Sequence, residues 1–161
     1  MFLIRKINKS KWYQIDIKND DDVSADAITN CLKTTKNTLS VWSIENEEDI
    51  EKAILAIASN LDHIETIDVV ILNDEKLKEY GIKIITSMGN TPIDSLKEIH
   101  RDLSELTFSK LGHIKDHIVE RIRNDKIKRY TKGNLKKILK KAIDKGFLEL
   151  DDLNESVRSK I

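Results

Sequence analysis

The chain has 161 residues, 39% of them hydrophobic and 35% charged, and its 28 basic and 28 acidic side chains cancel to a formal net charge of zero. That length corresponds to one domain with enough interior for a real core, and few glycines (5), one proline and many branched apolar residues exclude a disordered chain. Cys31 is the only cysteine, which excludes an intramolecular disulfide and a cysteine-rich zinc centre and fits a reducing compartment.

The opening MFLIRKINKSKW lacks a signal-peptide core, and no later apolar run has the length of a membrane span, so a cytoplasmic protein without membrane association is expected. The preference for lysine over arginine, with frequent isoleucine and asparagine, suggests an AT-rich bacterial genome. In chain order, MFLIRKI and KWYQIDI flank three polar residues and predict a hairpin. Asp20, Asp21 and Asp22 predict a loop, and Ser24 caps a short helix through Leu32. TLSVWSI is a predicted strand. The clearest helix follows, with Asn46 as cap, acids in its first turn, and Ile50, Ala53, Ile54, Ile57 and Leu61 on one face. TIDVVILN is apolar on both faces and predicts a central strand, completing a βαβ unit with parallel strands. Residues 75–80 predict a helical turn and 82–86 a further strand, whose short link leaves antiparallel pairing open.

From Thr91 the pattern reads as helix alone. Thr91, Pro92 and Asp94 form a start signal, Leu96, Ile99, Leu103 and Leu106 one stripe, and Leu111, Ile114, Ile118 and Ile122 a second, with Gly112 near the change. A polar joint leads to a helix over 134–145 that stops at Gly146, and a short helix follows Asp151 or Asp152. The expected fold is α/β, with α+β as the variant. Residues 1–90 supply a small mixed sheet and residues 91–161 a helical part, packed together as one domain.

Charge is sorted along this chain. Residues 1–110 carry a net −6 and residues 111–161 a net +6, and the segment 121–145 alone reaches +9. On a helical wheel Leu135, Ile138, Leu139, Ala142 and Ile143 form the apolar stripe, so periodicity explains where the lysines go. It does not explain why acids are nearly absent beside them. Arg121, Arg123, Lys128, Arg129, Lys136, Lys137, Lys140 and Lys141 are therefore the candidate partner-binding residues, for an acidic protein surface or a nucleic-acid backbone. Tyr130 among them has a ring that can stack or pack. Ala142 and Gly146 have helix-turn-helix spacing, but the acids opening LDDLNESVRSKI would repel phosphates.

Two further constellations carry chemistry in principle. His113, His117 and Glu120 share one side of a helix at metal-ligand spacing, without the glutamate of a zinc hydrolase or an identifiable additional ligand. Ser87, Gly89, Asn90 and Thr91 form a small-residue loop before a helix start, an arrangement that can hold an anion although it lacks the lysine and glycine density of a phosphate-binding loop. His100 reads as an interior histidine, Asp68 as a carboxylate needing a partner, Trp12 and Trp42 as core or interface anchors, and His63 has no readable partner. No nucleophile set, paired carboxylates or cofactor fingerprint is present. The expected function is a non-catalytic cytoplasmic accessory, regulatory or immunity-type protein that contacts an acidic protein partner, needs no cofactor, and is compatible with a homo-oligomer. The alternatives are a nucleic-acid-binding accessory protein and a small enzyme acting on an anionic substrate.

Overall fold

A computed structural model describes residues 1–17 and 22–161, so Asp20 and Asp21 of the expected acidic loop lie outside the described residues. The strands are β1 (Phe2–Ile7), β2 (Leu39–Ile44), β3 (Ile67–Asn73), β4 (Lys83–Thr86), β5 (His100–Ser104) and β6 (Ile127–Tyr130). They form one sheet in the order β4-β5-β2-β1-β3-β6, and every neighbouring pair is antiparallel. The helices are α1 (Lys9–Trp12), α2 (Ala25–Cys31), α3 (Ile50–Ala58), α4 (Asp74–Glu79), α5 (Asp94–Lys97), α6 (Phe108–Arg123), α7 (Lys132–Asp144) and α8 (Glu155–Arg158).

The fold is α/β in three layers. Leu3, Val70 and Leu72 face one core with Trp12 of α1, Ala27 of α2, Leu77 of α4 and Ile118 of α6. Ile4, Val69 and Ile71 face the other with Ile54 of α3, Leu96 of α5, Leu139 of α7 and Val157 of α8. Strand alternation assigns these residues to opposite faces. β3 is buried on both faces along nearly its whole length, as its apolar run over residues 69–72 requires.

Several elements differ from the sequence expectation for identifiable reasons. KWYQIDI does not pair with β1, because both edges of β1 are occupied by the distant strands β2 and β3; its first residues make the single turn α1. The two strands of the expected βαβ unit, β2 and β3, do run parallel to each other, but β1 lies between them. The expected continuous helix from Thr91 is instead α5, then strand β5, then α6, which Thr107 caps through the N–H of Lys110. The sheet therefore extends beyond residue 90, since β5 and β6 come from the second part of the chain.

Helix α7 matches the expected position closely. Thr131 and Asn134 close a reciprocal capping box at its start. At its end, Gly146 takes a positive φ of 72°, a conformation that costs little without a Cβ. Its buried residues Leu135, Leu139 and Ala142 pack toward α3, which turns the lysines of the remaining surface outward.

Candidate partner-binding face

β6 is an edge strand and α7 follows it directly, so the basic segment occupies one border of the molecule. Arg121 donates through Nε to the Ile71 carbonyl and has Nη2 3.9 Å from Glu47, while Arg123 donates to the Ile17 carbonyl at 2.8 Å. Lys126 bonds both carboxylate oxygens of Glu47, at 2.9 and 3.1 Å. Arg129 sits opposite Asp68 in the β3–β6 register and grips it with Nε at 2.7 Å and Nη2 at 3.0 Å. Asp68 is thus a buried carboxylate with a dedicated guanidinium. Lys141 reaches Glu51 at 3.4 Å with both side chains well exposed, a contact of little energetic weight.

The rest of the segment stays unmatched. Among the described residues, Lys128, Lys132, Lys136, Lys137, Lys140 and Lys145 have no carboxylate within ion-pair distance. Three of them, Lys128, Lys137 and Lys145, border two adjoining clefts. The first, about 450 Å³, is lined by Glu51, Lys128, Arg129, Tyr130, Asn134, Lys137 and Ile138. The second, about 280 Å³, is lined by Glu51, Lys52, Leu55, Ile138, Lys141, Ala142, Lys145 and Phe147. Glu51 and Ile138 belong to both. Phe147 is 62% exposed, so an aromatic ring lies open among lysines. Burial, with Glu51 nearby, pushes the Tyr130 phenol up, so that ring stays neutral.

Phe147, Leu55, Lys52, Lys132 and Lys145 were not singled out by sequence reasoning. Phe147 carries a usable signal, because it directly follows the helix-stopping Gly146 and lies off the α7 stripe. The helix-turn-helix spacing leads to no reading helix: LDDLNESVRSKI forms a short turn over Leu150–Asp152 and the four-residue α8, whose Val157 is fully buried.

In the loop Ser87, Gly89, Asn90 and Thr91, all but the exposed Asn90 are used internally. The N–H of Gly89 donates to the Lys97 carbonyl, that of Thr91 to the Gly89 carbonyl, and Thr91 Oγ1 bonds buried Ser59 Oγ at 2.9 Å. Ser87 Oγ pairs with His100 Nδ1 at 2.7 Å, and His100 meets the Trp42 ring edge-on at 5.0 Å. The expected helix start at Thr91 is instead a cap at Ile93 on the four-residue α5.

His113, His117 and Glu120 do not converge as a metal set. His113 stacks flat on Tyr80 at 4.6 Å. His117 is buried, accepts the Asn73 N–H on Nε2 at 3.0 Å, and directs Nδ1 to Glu120 at 3.1 Å. An Nε2 that accepts a backbone proton places the ring proton on Nδ1, so both nitrogens are engaged. Among the described residues no group of three or more His, Cys, Asp or Glu side chains has metal-binding geometry. His63 contacts Glu65 at the surface.

Burial lowers the pKa of both His100 and His117, opposed by Asp102 and by Glu120 respectively. The unfolded chain takes up these protons first as pH falls, so stability is fully present above about pH 6.5 and declines as pH drops toward the folded-state values. The carboxylates whose pKa the fold depresses, such as Glu65, Asp74 and Asp94, act only below about pH 4.5. Tm measured between pH 7.5 and 5 should therefore fall with acidity, and fall less steeply in His117→Gln. An unchanged slope in that variant would remove His117 from the effect.

The chain matches no protein-family model, no curated protein and no solved structure. No described helix is long and apolar enough to cross a membrane.

Proposed function

We propose that the protein is a non-catalytic accessory or regulatory protein of the cytoplasm that docks an acidic protein partner on the β6–α7 border. The observation that carries this reading is the open Phe147 ring beside Leu55, Ile138 and Ala142, framed by Lys52, Lys141 and Lys145. Exposed aromatics beside apolar surface are the usual anchors of protein interfaces, while long-range attraction between opposite charges speeds encounter and sets orientation. A nucleic-acid backbone needs only the cations and leaves the apolar cleft unused. The nucleic-acid reading draws instead on the unmatched lysines and on Tyr130, which lines the first cleft between Lys128 and Lys137.

Capture of partners from a native lysate, repeated with variants, separates these readings. Phe147→Ala should weaken retention of a protein partner about tenfold, a loss of about 1.4 kcal/mol, and charge reversal at Lys136, Lys137 and Lys140 should abolish it. Phe108→Ala, in a cleft lined by α2 and α6, should leave it intact. Retention of nucleic acid that depends on the lysines and salt but not on Phe147 would establish the alternative. Retention indifferent to both sets of changes would exclude this face.

A further inference from the structure

Arg5 lies where the sheet opens. β1 pairs with β3 along its whole length, down to Ile7 opposite Asp68, but its pairing with β2 ends at Ile4 opposite Trp42. Beyond that point β2 continues only against β5. The Arg5 side chain fills the split: Nε and Nη2 donate to the Cys31 carbonyl at 3.3 and 2.8 Å, and Nη1 donates to the Ser40 carbonyl at 2.7 Å. A guanidinium has five N–H donors, so two remain after these three bonds. No carboxylate pairs with Arg5 among the described residues. Burial pulls its pKa below the ordinary value, as expected of a charge held from water by neutral carbonyls alone.

The split opens onto a polar cleft of about 450 Å³ lined by Arg5, Asn8, Asn30, Cys31, Glu65 and Asp68 among others. Its two acids already have their own cations. Glu65 takes Lys6 at 2.7 Å and His63 at 3.3 Å, and Asp68 takes Arg129. Arg5 is therefore the charge in this cleft left without a counter-ion. Among the described residues, the side-chain NH₂ groups of Asn8 and Asn30 have no bonded partner, and their oxygens accept only Ser10 Oγ and a long contact from Cys31 Sγ.

We propose that this cleft binds a small monocarboxylate, gripped by the two remaining N–H donors of Arg5, with its polar body held by the side-chain amides of Asn8 and Asn30. Charge-assisted N–H donors match carboxylate oxygens, and one unbalanced positive charge matches one negative charge. A dianion such as phosphate would face Glu65 and Asp68 with charge to spare. The site adjoins the partner-binding face through the Asp68–Arg129 pair but does not depend on that reading.

The test follows the Arg5 Nε–H resonance of the full chain by proton–nitrogen NMR, titrating N-acetylglycinate, acetate, phosphate and chloride at matched ionic strength. The hydrogen bond to Cys31 protects that proton from exchange and makes it a direct reporter. N-acetylglycinate should give saturable shifts at millimolar concentration, acetate weaker ones, and chloride and phosphate only unsaturated drift. Asn30→Ala, at an exposed position that leaves the Arg5 bonds in place, should weaken N-acetylglycinate at least threefold. Unsaturated drift with every salt, saturation by phosphate in preference to the carboxylates, or undiminished affinity in Asn30→Ala would each overturn the proposal.

Discussion

Replacing Trp12 with alanine is expected to destabilise the protein by about 3–5 kcal/mol, a large share of the stability of a typical domain. The indole is completely buried on the one-turn α1 and packs in the core shared by Ile17, Ala27, Leu32 and the α6 residues. α1 has no side-chain cap, and four residues are too few to be helical alone. Burial of Trp12 is what fixes this stretch in the absence of a strand partner. The indole N–H has no hydrogen-bond partner among the described residues. Trp12→Phe keeps most of the volume and removes that unsatisfied donor, so it should cost under about 1.5 kcal/mol. Urea titration separates the two, with a large drop in midpoint for alanine and a small one for phenylalanine. Equal effects would mean that the ring's burial does not carry the load assigned to it.

Gly89→Ala should cost about 1–3 kcal/mol by overpacking, although the change adds one methyl group. A Cβ at that position would lie 2.5 and 2.7 Å from the Trp42 ring carbons Cη2 and Cζ3 and 2.9 Å from His100 Cβ. The indole is a broad rigid plate and the His100 contact is close to the backbone, so neither yields without moving β2 against β5. Gly112→Ala is the contrast. Its Cβ would meet nothing within 4 Å on helix α6, and alanine's helix propensity should stabilise by up to about 1 kcal/mol. Thermal unfolding should shift in opposite directions for the two variants, and the Gly89 change should also alter Trp42 fluorescence.

The sequence made legible those elements whose local pattern agrees with their tertiary setting. β3 has an apolar run and is buried, α3 and α7 have coherent stripes, α7 with a stop at Gly146, and all three stand where periodicity puts them. β5 was illegible because HRDLS carries one strong apolar residue, Leu103, whose spacing from Leu96, Ile99 and Leu106 also fits a helix; pairing with both β2 and β4 outweighs that pattern. β6 is four residues long, and the left-handed Asp125 before it was a turn signal hidden within a basic run. At the candidate face the lysines followed from the α7 wheel, whereas Phe147 and the split at Arg5 depend on which strands and helices meet across the chain. An arginine inside the apolar FLIRKI was the one visible hint of the latter.

Sorting of charge along the chain survives folding only in part. Glu47, Asp68 and Glu51 from the first half neutralise Arg121 and Lys126, Arg129 and Lys141 of the second. Of the remaining lysines, Lys145 lines the cleft where Phe147 is open, beside Lys141 and the Asp49-paired Lys52, and Lys128 and Lys137 line the adjoining one. Amide hydrogen exchange of the chain bound to its captured partner tests that combination most directly. The expected footprint is slowed exchange in Ile127–Tyr130, Lys132–Asp144 and the turn carrying Phe147, lessened by raised salt. Slowing confined to α2 and the start of α6, with the β6–α7 border exchanging as in the free protein, would contradict the account.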